Sequence, residues 1–198
     1  MKTYLFIDGT NLYAGQYELF GPKKYLYFPS FIKEIETKLK IDFDKIYFYA
    51  SYSPRPQRFM RKSMPFLKNE SFFYKSVRST PKTSFFLGHR SPTSGKEKEV
   101  DVKIVVDIIH KAHLNEFSTM YLLSGDADFI PALNIIKVLK KNIVVACLQN
   151  KIMWKAVYNF KTTIISFSAK KKFHFPNVRQ KVKIIKLEPK AQVVKPVK

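Results

Sequence analysis

The chain has 198 residues, 45% of them hydrophobic, and a single cysteine. That suffices for a core in one domain with a short appendage, and it excludes a largely disordered chain, a disulfide-stapled scaffold and, since no apolar run approaches the roughly 20 residues that cross a bilayer, a membrane-embedded one. Lys and Arg number 36 against 15 Asp and Glu, a net charge of +21 that opposes compaction unless an anionic partner absorbs it, and a nucleic acid has the matching charge density.

Met1-Lys2-Thr3-Tyr4 leads straight into a strand with no signal-peptide anatomy, which predicts a cytoplasmic protein. Tyr4 to Asp8 reads as a buried strand that delivers Asp8 to a turn containing Gly9. Pro29 to Leu39 has apolar residues at 31, 32, 35 and 39, the spacing of an amphipathic helix. Lys45 to Tyr52 reads as a second strand, Pro56 to Lys68 as a basic helix, and the aromatic run Ser71 to Val77 as a third strand. Ser79 to Ser94, with Pro81, Gly88 and Pro92, reads as loop.

Val100 to Ala112 is the next helix, with Val102, Val105, Val106, Ile109 and Ala112 tracing its apolar face and His110 and His113 at its surface. Strands over Thr119 to Ser124, Ile143 to Leu148 and Thr163 to Phe167 alternate with helices over Phe129 to Lys140 and Lys151 to Phe160. Cys147 lies in an apolar run as a small core residue. Strands separated by helices predict an α/β fold, a three-layer sandwich around a mainly parallel central sheet. Residues 1–168 form the domain, and 169–198 a basic extension, partly mobile, in which Val182, Ile184, Ile185 and Leu187 have the pattern of an extra edge strand.

Acidic residues are scarce, yet they recur where strands end. Phe6-Ile7-Asp8-Gly9-Thr10-Asn11 and Leu122-Leu123-Ser124-Gly125-Asp126-Ala127-Asp128 each end an apolar run in Asp, and Glu99-Val100-Asp101 opens a helix between them. Parallel sheets place ligands outside the carboxyl ends of their strands, so these segments are expected to converge on one cleft. Crowded carboxylates repel unless they share a proton or a cation, and an oxygen-only donor set favours magnesium or manganese over zinc. Each Asp also has a simpler role available, as a helix cap or a turn former.

These motifs, with Lys96 to Lys103 and Asp107 behind Asp101, resemble the NYN domain family, in the LabA-like branch of the PIN-like nuclease superfamily. The resemblance covers roughly residues 3 to 167 and implies a PIN-like fold whose acidic cleft binds Mg2+ or Mn2+ and cuts RNA. It carries Asp8, Asp101, Asp126 and Asp128 over as metal-binding catalytic residues, with Asn11, Ser124 and Asp107 in support. Two positions depart from the family pattern: Glu99 stands where relatives commonly have Gly, and Asn159 where many have Asp, which predicts one weakened metal position.

The expected chemistry is hydrolysis of RNA phosphodiester bonds, single-stranded RNA favoured, with the strand held by Arg55, Arg58, Arg61, Lys62, Arg78, Lys82, Arg90, Lys96 and Lys98. Aromatic rings interleave with these cations, most of them as core and some as base-stacking surfaces. A module that binds RNA without cutting it is the alternative, and self-association as a homodimer is left open. A nucleotide-handling enzyme lacks support, because no Walker-type Gly-rich loop is present.

Overall fold

The structure is a computed structural model and describes residues 1–53, 64–89, 99–168, 182–189 and 193–194. Its centre is a seven-stranded, all-parallel sheet built from β1 (Thr3–Asp8), β3 (Lys45–Ala50), β4 (Thr83–Leu87), β5 (Thr119–Leu123), β6 (Asn142–Leu148), β7 (Lys161–Ser166) and β8 (Val182–Lys186), in the spatial order β4-β3-β1-β5-β6-β7-β8. A short β2 (Tyr25–Leu26) pairs antiparallel with β9 (Val193–Val194). The helices are α1 (Gly9–Phe20), α2 (Phe28–Leu39), α3 (Met64–Arg78), α4 (Val100–His113), α5 (Ile130–Val138) and α6 (Trp154–Asn159), with a 3-10 turn at Ala127–Phe129.

Strand alternation divides the core into two layers. Leu5 and Ile7 of β1 face a cluster that contains Leu12, Phe31, Ile35, Phe73 and Val77 of α1 to α3, while Tyr4 and Phe6 face Ile104, Ile108, Leu133, Ile136 and Ala156 of α4 to α6. A sheet buried on both faces explains why β1 and β5 read as nearly continuous apolar runs. The winding of the chain reverses at β1: it proceeds outward to β3 and β4, then returns to β5 on the other side. The boundary between β1 and β5 is therefore the topological switch point, where the connections diverge and leave a crevice at the strand ends.

Several expected elements come out differently, each for a packing reason. Ser71 to Val77 is the second half of α3, not a strand: Phe73, Tyr74 and Val77, with Asn69 and Glu70 one turn earlier, are buried at helical spacing. The expected basic helix lies partly in 54–63, outside the described residues, and α3 begins at Met64. The stretch 79–94 is not all loop, since Thr83–Leu87 forms the edge strand β4 between the punctuating Pro81 and Gly88. A helix, α1, follows Asp8 where a turn was expected, because Asp8 itself caps it.

In α4 the buried series is Val100, Ile104, Ile108 and Ala112, whereas Val102 and Val106 are 67% and 52% exposed. Both stripes are apolar, and packing against β1, β3 and α5 selects between them. The segment beyond residue 168 contributes β8, parallel to β7, and its Ile185 and Leu187 join the first core layer. Among the described residues no helix is long and apolar enough to cross a membrane.

Gly9 is fixed by close approach. A Cβ there would stand 2.2 Å from the Phe48 ring and 2.8 Å from the Tyr49 carbonyl oxygen. Gly9→Ala is therefore expected to destabilise the protein by roughly 1–3 kcal/mol, as overpacked cores do, read as a lower midpoint in urea unfolding. An unchanged midpoint would mean that β1, α1 and β3 do not meet this closely.

Candidate active site at the strand ends

Asp8 is the last residue of β1 and, with extended backbone, the N-cap of α1. It is only 4% exposed. Its Oδ1 accepts from the Asn11 backbone N–H at 2.9 Å and its Oδ2 from the Ser124 hydroxyl at 2.9 Å. The Ser124 Oγ in turn accepts from the Asp126 N–H at 3.0 Å, so one buried hydroxyl serves as donor to one acidic motif and acceptor from the other. A second crossing runs beside it, in which the Gly125 N–H donates to Asn11 Oδ1 at 3.0 Å. The ends of β1 and β5 are thus tied together at the switch point by the side chains of Asp8, Asn11 and Ser124.

Asp126 caps the 3-10 turn, its Oδ1 accepting from the Asp128 N–H at 2.9 Å, and Asp128 is exposed in the first turn that follows. Gly125 lets the chain pass against the turn that follows β6, since a Cβ there would meet the Lys151 carbonyl oxygen at 2.4 Å. Asp101 is exposed in the first turn of α4, favourably placed toward the helix dipole. Asp8 and Asp126, expected as turn formers, are thus N-caps, while Asp101 and Asp128 take the expected first-turn positions. A cap is compatible with further ligation, because a carboxylate oxygen that accepts one hydrogen bond keeps a second lone pair.

Asp107 faces elsewhere. Its Oδ2 accepts from the Tyr49 hydroxyl at 2.9 Å and its Oδ1 pairs with Lys103 at 2.6 Å, so it fastens α4 to β3. Burial, reinforced by the Asp107 charge, pushes the Tyr49 phenol far above its usual range and keeps it a neutral donor.

Glu99 has φ 83° and ψ −35°, a backbone that favours glycine, directly before the α4 residue Val100. The position where relatives commonly carry Gly keeps a glycine-like conformation here, with its side chain toward His89 Nδ1 at 3.2 Å. Such a conformation costs on the order of 1–3 kcal/mol.

Two expected site residues lie away from this edge. Asn159 ends α6 just before β7, and Phe160 leads into the opposite, amino edge of the sheet, so its difference from Asp touches no group at the strand ends. The expectation of a weakened metal position is corrected accordingly. Lys82 precedes β4 at that same amino edge and is paired with Asp42 at 2.9 Å. Arg78 stacks over Phe85 on the edge strand, 4.4 Å from the ring centroid, and its guanidinium donates to the Tyr52 hydroxyl at 3.2 Å. Arg55, Arg58, Arg61, Lys62, Arg90, Lys96 and Lys98 lie outside the described residues, in the segments that follow β3 and β4.

Sequence reading missed Glu70, a carboxylate on α3 that is only 2% exposed and accepts from the backbone N–H and hydroxyl of Ser53, just past the end of β3. Reading 66, 69, 70, 73, 74 and 77 at helical spacing would have placed it. Cys147 is buried behind the site, its thiol pushed up to about 11 chiefly by desolvation and its Sγ donating to the Ser124 carbonyl.

A family model for the NYN domain matches residues 2–174. The chain belongs to the NYN domain family. NYN domains are generally nucleases of the PIN-like superfamily, and the parallel sheet flanked by helices is consistent with that α/β/α sandwich. A crystal structure of a protein of unknown function from Vibrio parahaemolyticus shares the fold of this NYN domain, with a TM-score of 0.58, 17% identity, and coverage of 85% of this chain and 93% of that one. No curated protein matches the chain.

Among the described residues of the NYN domain, no three Asp, Glu, His or Cys side chains form a group able to hold a metal by themselves. Magnesium ordinarily takes one or two carboxylates and completes its shell with water and substrate phosphates, so an oxygen-only edge formed by Asp8 and Asp126 fits a hard cation. Replacing Glu99 by Gly is expected to raise stability by about 1 kcal/mol, seen as a higher urea midpoint, because the left-handed backbone no longer strains a side chain. A lower midpoint would show that the His89 contact outweighs that strain.

Proposed function

We propose that this NYN domain, of the LabA-like branch, is a metal-dependent ribonuclease that hydrolyses phosphodiester bonds, preferably of single-stranded RNA. The observation that carries the reading is the joining of Asp8 to the Ser124-Gly125-Asp126 motif at the one crevice that the sheet topology creates. Asp8 and Asp126 would hold Mg2+ or Mn2+, with Asp101 and Asp128 at the rim. When bound, such an ion polarises the scissile phosphate and lowers the pKa of its water.

The chain's own residues supply the positioning. Ser124 and Asn11 hold the Asp8 carboxylate and the following turn in place, so little reorganisation is needed when substrate arrives. Asp107 and Tyr49 set the angle of α4 and thereby the placement of Asp101. The basic segments after β3 and β4 leave from the same edge and would hold the strand over the acidic crevice.

A second reading, an RNA-binding module without catalysis, is favoured by the capping bonds that already engage Asp8 and Asp126. Asp8→Asn and Asp126→Asn separate the two, because Asn caps as well as Asp and the fold should survive. The nuclease reading expects cleavage of single-stranded RNA with Mn2+ or Mg2+, its abolition by EDTA, and a fall of about 100-fold in turnover for each variant with RNA binding retained. Cleavage unaffected by EDTA or by either substitution overturns the mechanism. No cleavage by the wild type, with RNA binding intact, favours the binding module.

A further inference from the structure

Two hollows meet at Lys161 on the amino edge of the sheet, opposite the acidic crevice. One, of about 150 Å3, is lined by Lys137 and Lys141 together with Asn142, Asn159 and Lys161. The other, of about 490 Å3, is lined by Lys161, Lys183, Thr163 and Tyr121 with apolar walls from Leu39 and Val144. No Asp or Glu lines either hollow among the described residues. Lys141 donates to the neutral Asn115 Oδ1 and Lys183 to the Lys38 carbonyl, so neither ammonium is neutralised there by a carboxylate.

Lys137 lies in the last turn of α5, where a cation offsets the helix dipole, and needs no further explanation by itself, while Lys141 follows three residues past the helix. Lys161 and Lys183 come from β7 and β8 and have no such role. Register places Thr163 beside Lys183 on the neighbouring strand and two residues beyond Lys161, so the three residues share one face of the sheet and line one hollow. Like charges that line adjoining hollows with no internal counter-charge are stabilised by an anion, and lysines beside amide and hydroxyl groups suit a phosphate.

We propose that the amino edge around Lys161 is a second, phosphate-binding site, separate from the acidic crevice, that takes a phosphate of an RNA strand or of a nucleotide. Asn159 belongs to this site: its amide Nδ2 donates to the Lys155 carbonyl, and an Asp in its place would put a carboxylate among the lysines. The site is independent of cleavage, so its test is run in EDTA and is unaffected by failure of the nuclease reading.

The test uses the full chain and a fluorescent single-stranded RNA, with anisotropy read across a salt series. Lys137→Gln with Lys161→Gln is expected to weaken binding about tenfold and to flatten the salt dependence by about 0.7 per lost phosphate contact. The control is Lys2→Gln with Lys45→Gln, two exposed lysines near the same edge that line neither hollow. Asn159→Asp, which adds charge without removing a lysine, should weaken binding as well. Amide shifts at Asn142 and Lys161 with inorganic phosphate or AMP would identify a free anion as the ligand, and shifts with RNA alone would identify the strand. Losses in the double variant and in Asn159→Asp no larger than in the control would overturn the proposal.

Discussion

The Ser124 hydroxyl is the point on which the rest of this edge depends. It donates to Asp8 and accepts from the Asp126 N–H, and it is buried at the ends of two parallel strands whose outgoing connections diverge. At most positions in a parallel sheet the strand ends are closed by their own connecting helices. At the β1 and β5 boundary they are not, and side chains must satisfy the polar groups instead. Asp8, Asn11 and Ser124 do so with charged and polar groups, which costs desolvation but leaves carboxylate oxygen at the crevice. An apolar closure would be more stable and would have no chemistry.

Charge is distributed around the sheet in a way that follows from this arrangement. A chain at +21 attracts polyanions almost anywhere on its surface, so attraction alone does not select a place. The carboxyl edge concentrates Asp8, Asp126, Asp128 and Asp101, which repel phosphate until a cation screens them. The amino edge gathers lysines from α5, the turn after it, β7 and β8, with no carboxylate among the described residues that line its hollows. On the proposed reading one edge would take a cation and the other an anion, and an RNA with its metal would supply both.

The layered fold was legible in the sequence because buried parallel strands are continuous apolar runs and the helices between them are amphipathic. The two Asp motifs were legible because acids are rare in this chain and both follow such runs. What sequence did not reveal depends on packing between distant segments. Ser71 to Val77 has the aromatic content of a strand, and only its burial at helical spacing against α1 and β3 makes it part of α3. The α4 face was ambiguous because both of its stripes are apolar. Asn159 was grouped with the acidic motifs by analogy, but the direction of α6 carries it to the far edge. Glu99 shows the converse, since the substitution was visible in sequence while the retained φ of 83° was not.

On the proposed reading the β1 and β5 strand ends form a cation site for RNA chemistry. Paramagnetic broadening by Mn2+ in amide spectra of the full chain tests it most directly, because broadening reports position without requiring turnover. A cation held there is expected to broaden Gly9, Asn11, Gly125 and Asp126 at substoichiometric Mn2+, with the effect lost in Asp8→Asn and competed away by Mg2+. Broadening centred elsewhere, or unchanged in Asp8→Asn, would contradict it.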